Sequence, residues 1–196
     1  MGRDVTITEP ELEDGFFPKA PATVCIEGPT QRQCYTAPER YGRYATVAIV
    51  ELEKAMPAVF FSVESGGVSG WSVHFALLRP GTGKDLENLF PIETSISNQG
   101  QHAFWNDPSL SEAPIFVTAT YQYGPGETHY SPHRYTISTW FLETEERYYF
   151  LADRYLTVRK YDVDAAEDIL AGEKQEILAR LRRVKGEAER SPQGPR

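Results

Sequence analysis

Chemistry-bearing residues concentrate in one short stretch of this chain. Of its four histidines, His74, His102, His129 and His133, two fall in Gly126-Glu127-Thr128-His129-Tyr130-Ser131-Pro132-His133-Arg134. Side chains alternate along an extended chain, so Glu127, His129, Ser131 and His133 would point one way and bring a carboxylate and two imidazoles to one side. That set suits zinc or iron, with His102 or His74 as the remote imidazole of a small metal-dependent enzyme. Two histidines constrain a site weakly, because catalytic zinc takes three protein ligands and an open position. Pro132 also argues against the shared helical face of H-E-x-x-H, a motif this chain lacks. The competing expectation is that no cofactor is bound, and that Glu127, His129, Tyr130 and Arg134 form a hydrogen-bonded loop at a sheet end.

Aromatic residues are the second source of chemistry. Nine tyrosine and tryptophan residues lie between Tyr121 and Tyr161. Tyr121 and Tyr123 share a strand face beside the loop that holds Tyr130, and Trp105 precedes the polar pair Asn106 and Asp107. Amphipathic rings of this kind stack on sugars or anchor a protein partner, although most rings in alternating strands fill a core. No Walker loop, dinucleotide-binding glycine pattern, G-x-S-x-G elbow, EF-hand or zinc C-x-x-C occurs. Gly66 to Gly70 lacks the Lys-Ser/Thr and the helix of a phosphate loop, and no pair among Glu143, Glu145, Glu146 and Asp153 can be assigned a glycosidase separation.

The elements that must position these residues are mostly strands. Stretches 45–54 (ATVAIVELEK), 57–64 (PAVFFSVE), 71–79 (WSVHFALLR), 115–123 (IFVTATYQY) and 133–142 (HRYTISTWFL) are β-branched, aromatic and alternating. A short strand is expected at 101–105, a helical turn at 85–89, and a further pair at 147–151 and 155–161. Met56-Pro57-Ala58-Val59-Phe60 and Ala113-Pro114-Ile115-Phe116-Val117 echo each other at a spacing of 57 residues, as two similar hairpins would. After Val163 the period changes. Asp164 and Glu167 resemble a capping box, and Ile169, Leu170, Ile177, Leu178, Leu181 and Val184 recur at helical spacing. Gly172 weakens this helix by about 1 kcal/mol relative to Ala, and Gly186 is a place for it to end. The fold class expected is mainly β, an antiparallel sandwich or barrel built from hairpins, with one C-terminal α-helix. Its parts are an irregular segment 1–21, a β domain 22–162, a helix 163–190 and a disordered tail 191–196.

Cys25 and Cys34 flank a turn at Gly28-Pro29-Thr30-Gln31. A four-residue turn sets Glu27 against Arg32, Ile26 against Gln33 and Cys25 against Cys34, within disulfide reach. A bridge implies an oxidising compartment. The expected location is periplasmic or secreted, with any signal removed, since residues 1–20 hold no apolar run of signal-peptide length. Two free thiols in the cytoplasm are the alternative. The chain has 196 residues, 40% hydrophobic, 24% charged, with a net charge of -8. That composition supports a folded core and excludes a basic nucleic-acid footprint, and no segment is long and apolar enough to span a membrane.

Phe60-Phe61-Ser62-Val63-Glu64-Ser65-Gly66-Gly67, Ser97-Asn98-Gln99-Gly100-Gln101-His102-Ala103-Phe104-Trp105 and His129-Tyr130-Ser131-Pro132-His133-Arg134-Tyr135 resemble uncharacterised exported β-rich proteins of environmental bacteria, over roughly residues 22–162. The resemblance implies export and a disulfide, and no activity. The resulting expectation is a noncatalytic binding domain for protein or glycan, using Trp105, Tyr121, Tyr123 and Tyr130, with the helix packed on the sheet or used for oligomerisation.

Overall fold

The structure, a computed structural model, describes residues 4–29, 31–52, 56–66, 70–90, 92–97, 99–143, 147–162 and 168–190. Within them fourteen strands and one helix form two compact units, Met1–Asn98 with Glu145–Tyr148, and Gln99–Thr144 with Tyr149–Arg196.

The first unit holds β1 (Asp4–Thr8), β2 (Leu12–Glu13), β3 (Phe17–Pro18), β4 (Thr23–Glu27), β5 (Arg32–Thr36), β6 (Tyr41–Glu51), β7 (Pro57–Ser65), β8 (Ser72–Pro80), β9 (Leu86–Asn88) and β10 (Thr94–Ser97). One sheet has the order β1-β4-β5, a second β10-β8-β7-β6 with β9 on β8, and β2 pairs β3. Val24 and Ile26 from the first, with Ala22 just before β4, meet Val59, Phe61, Val63, Ala76 and Leu78 from the second in one buried cluster. This is a sandwich: each sheet ends on two different edge strands, so none closes into a barrel. The β4–β5 register sets Glu27, Ile26 and Cys25 against Arg32, Gln33 and Cys34, as the four-residue turn requires. Cys25 and Cys34 form a disulfide with Cα atoms 4.1 Å apart. Gln33 then extends its amide to the carbonyls of Gly81 (2.9 Å) and Gly83 (2.6 Å), tying the hairpin to the turn after β8.

Two expectations for this unit fail. The segment expected to be irregular holds strand from Asp4 on: β1 pairs β4 along its length, from Asp4 with Glu27 to Thr8 with Thr23, which satisfies an edge that would otherwise stay open. Residues 85–89 are not a helical turn, because Leu86, Glu87 and Asn88 pair with Pro80, Arg79 and Leu78. Three residues hold too little pattern to separate the two states. The connections at 53–55 and 67–69 lie outside the described residues.

The second unit is β11 (Gln101–Trp105), β12 (Ile115–Gln122), β13 (Arg134–Glu143), β14 (Tyr148–Leu156) and α1 (Ile169–Arg190) in a sheet of order β11-β12-β13-β14. The helix packs on the sheet: Ile169, Leu170, Ile177 and Leu181 are buried with Ile115, Val117, Ala119, Tyr135 and Ile137. Of its two expected uses, the one seen is packing within the unit. Asp164 and Glu167 lie outside the described residues, and the described cap is Asp168, whose Oδ1 accepts the Ala171 N–H at 2.9 Å. The helix runs past Gly186 to Arg190. Gly172 has a packing reason: a Cβ there would lie 3.0 Å from the Tyr161 hydroxyl, which donates to Glu173 at 2.6 Å. The expected pair at 147–151 and 155–161 is instead one strand, β14 (Tyr148–Leu156), and Tyr161, beyond it, makes a two-way backbone bridge to His133.

Candidate functional site

At one end of the second unit the chain leaves β12 at Gln122, passes through turns, and re-enters the sheet at Arg134 opposite Gln122. These turns overturn the extended geometry expected for Glu127, His129, Ser131 and His133. Gly126 has φ of 76°, a left-handed value that glycine adopts without strain. Glu127 folds back under the loop. Its Oε2 accepts the Gly124 N–H at 2.7 Å and faces His133 Nδ1 at 3.1 Å, while Oε1 takes the Lys160 ammonium. Gly124 makes this possible, since a Cβ there would sit 2.9 Å from Oε1. Lys160, then the Gly124 amide and His133, hold the Glu127 carboxyl down to about 2.

His133 is fully buried, its ring stacked on Tyr121 at 4.9 Å and edge-on to Tyr123 at 5.2 Å. Because Glu127 is ionised and can only accept, His133 Nδ1 carries the hydrogen of that bond. The Tyr123 hydroxyl lies 3.0 Å from that of Tyr121 and shares a further hydrogen bond with His129 Nδ1. The two loop histidines therefore separate: one props the loop from inside, the other braces Tyr123.

No family model, curated protein or solved structure matches the chain.

The metal set Glu127, His129, His133 and His102 does not assemble. Glu127 and His133 touch, but His102 lies on β11 opposite Thr118 with its ring near Phe116, and no group of three or more His, Cys, Asp or Glu among the described residues could hold an ion. Both Glu127 oxygens are already engaged. The aromatic set divides as well. Tyr121 is 8% exposed and belongs to the core, so it supports the site rather than touching a ligand. Tyr123 is 49% and Tyr130 81% exposed. Trp105 ends β11, packs against the helix-side core and lines a separate recess of about 470 Å³, with the Lys174 ammonium 5.6 Å from its ring.

Tyr123 lines a recess of about 300 Å³ with Gln122, Glu127, Arg134, Leu156 and Lys160. Gly124 and Lys160 are the residues that sequence reasoning missed. Lys160 lies thirty-three positions from its partner Glu127, with no local signal linking them. Pro125 and Gly126 did mark a turn that excluded the extended reading.

Proposed function

We propose that this chain is an exported, noncatalytic binding domain whose contact surface is the 123–132 loop of the second unit, with a glycan or a protein segment as ligand. The observation that carries this is Tyr123: a half-exposed ring beside a recess, fixed from behind by Tyr121, His129 and the Glu127 clamp. A ring held in place loses little freedom on contact, so its apolar face serves recognition. Tyr130, four-fifths exposed on the same loop, extends the surface. Export is supported by the Cys25–Cys34 disulfide, which is compatible with an oxidising compartment, and no described helix is long and apolar enough to cross a membrane.

The test is a panel of immobilised glycans and peptides probed with the native chain and with Tyr123→Ala and Tyr130→Ala. Binding should fall at least tenfold in Tyr123→Ala, the loss of about 1.4 kcal/mol typical of an aromatic anchor. Equal binding by native chain and both variants would remove this loop as the contact surface.

A further inference from the structure

We infer that the recess beside Tyr123 takes a carboxylate-bearing sugar, a uronic acid unit whose ring rests on Tyr123 and whose carboxylate is gripped by Arg134. This rests on the binding reading of the same loop and adds the class of ligand. Three charged residues line the recess, Glu127, Arg134 and Lys160. Glu127 and Lys160 neutralise each other. Arg134, exposed at the start of β13, makes no ion pair among the described residues and leaves one uncompensated positive charge there, in a chain whose net charge is -8. A guanidinium presents two parallel N–H donors that match a planar carboxylate. A doubly charged phosphate would find no second unpaired cation in the lining.

The remaining surfaces suit the rest of a sugar. Gln122, directly opposite Arg134 across the strand pair, offers an amide donor and acceptor to hydroxyls. Tyr123 and Leu156, 49% and 47% exposed, offer apolar surface to the C–H face of the ring. A volume of about 300 Å³ is at the small end of ligand sites, which fits one sugar unit.

The experiment measures chemical-shift titrations with the methyl glycosides of glucuronic, galacturonic and mannuronic acid and their neutral counterparts, with inorganic phosphate as competitor. At least one uronide should bind tenfold or more tightly than its neutral partner. Arg134→Gln should bring that ratio to about one, Arg134→Lys should restore it in part, and Tyr123→Ala should weaken both sugars. Uronide and neutral sugar binding equally would overturn the carboxylate assignment and leave the binding loop standing. Phosphate displacing the uronide at equal concentration would show a general anion site and overturn it too. If none of the sugars binds, the glycan reading falls with it.

Discussion

At the residue scale, two buried imidazoles show how environment assigns a role. His133 faces a carboxylate. His74, on β8 and 1% exposed, meets only the Tyr35 hydroxyl at Nε2 (3.0 Å), with Tyr41 tilted against its ring, and its buried Nδ1 has no hydrogen-bond partner among the described residues. Burial pushes His74 down to about 4, from the ordinary 6.5. The unfolded chain therefore takes up a proton near pH 6.5 and the folded chain does not. The His74 contribution to stability is level above that pH and is lost as pH falls from 6.5 toward 4, by on the order of 3 kcal/mol over the full window. Urea unfolding at pH 7.5 and pH 4.5 checks this: His74→Leu should lose markedly less stability between the two than the native chain, and parallel losses would refute it. Glu127 is also held below its ordinary value, so its contribution is lost in the same direction but at lower pH. Held at about 2, its contribution is present above about pH 4.5 and fades only toward pH 2, so the clamp on the binding loop persists through that His74 window.

At the element scale, a hairpin and a helix carry the sharpest consequences. The β4–β5 disulfide closes a loop of nine residues' separation, for which the chain-entropy model gives about 2 to 3 kcal/mol. Cys25→Ser with Cys34→Ser should lower unfolding free energy by that amount and leave the far-ultraviolet spectrum β-rich, because the eight-residue core of sheet-to-sheet contacts named above does not depend on the bridge. Loss of all cooperative unfolding would show that the bridge is required for the fold. In α1, helix propensity alone says that Gly172→Ala should stabilise by about 1 kcal/mol. The new methyl would crowd Tyr161, which is 2% exposed and tied to Glu173. The expected outcome is no gain and a net loss in thermal melting, and a rise of several degrees would count against the packing account. The helix is also fastened through Arg180, whose Nη2 donates to Asp153 Oδ1 at 3.0 Å and whose Nε donates to Oδ2, with the guanidinium 4.6 Å from the Tyr155 ring.

At the scale of the whole molecule, the acidic balance sets what the chain avoids. With a net charge of -8 it repels polyanions, so the positive spot at Arg134 favours a short, singly charged ligand over a long charged polymer. Fluorescence anisotropy with a labelled DNA duplex at 0.15 M salt should show no binding below about 100 μM, the weak limit of ordinary nonspecific association. Micromolar binding would mean that the charge is segregated in a way the described residues do not show.

Much of the fold was legible because period-two alternation and turn residues act over a few neighbours: the β6–β7 and β12–β13 hairpins, the Cys25–Cys34 register and the terminal helix all follow from local pattern. The pairing of β1 with β4 and the single long β14 did not follow, since each depends on partners outside the segment. The candidate site divides along the same line. Sequence by itself placed Glu127, His129, Tyr130 and His133 in one loop beside Tyr123. Only the tertiary structure decided that Lys160 arrives to neutralise Glu127, that His133 and Tyr121 turn inward, and that Tyr123 and Arg134 are left facing solvent. Burial and ion pairing are set by residues distant in the chain, and no local pattern encodes them.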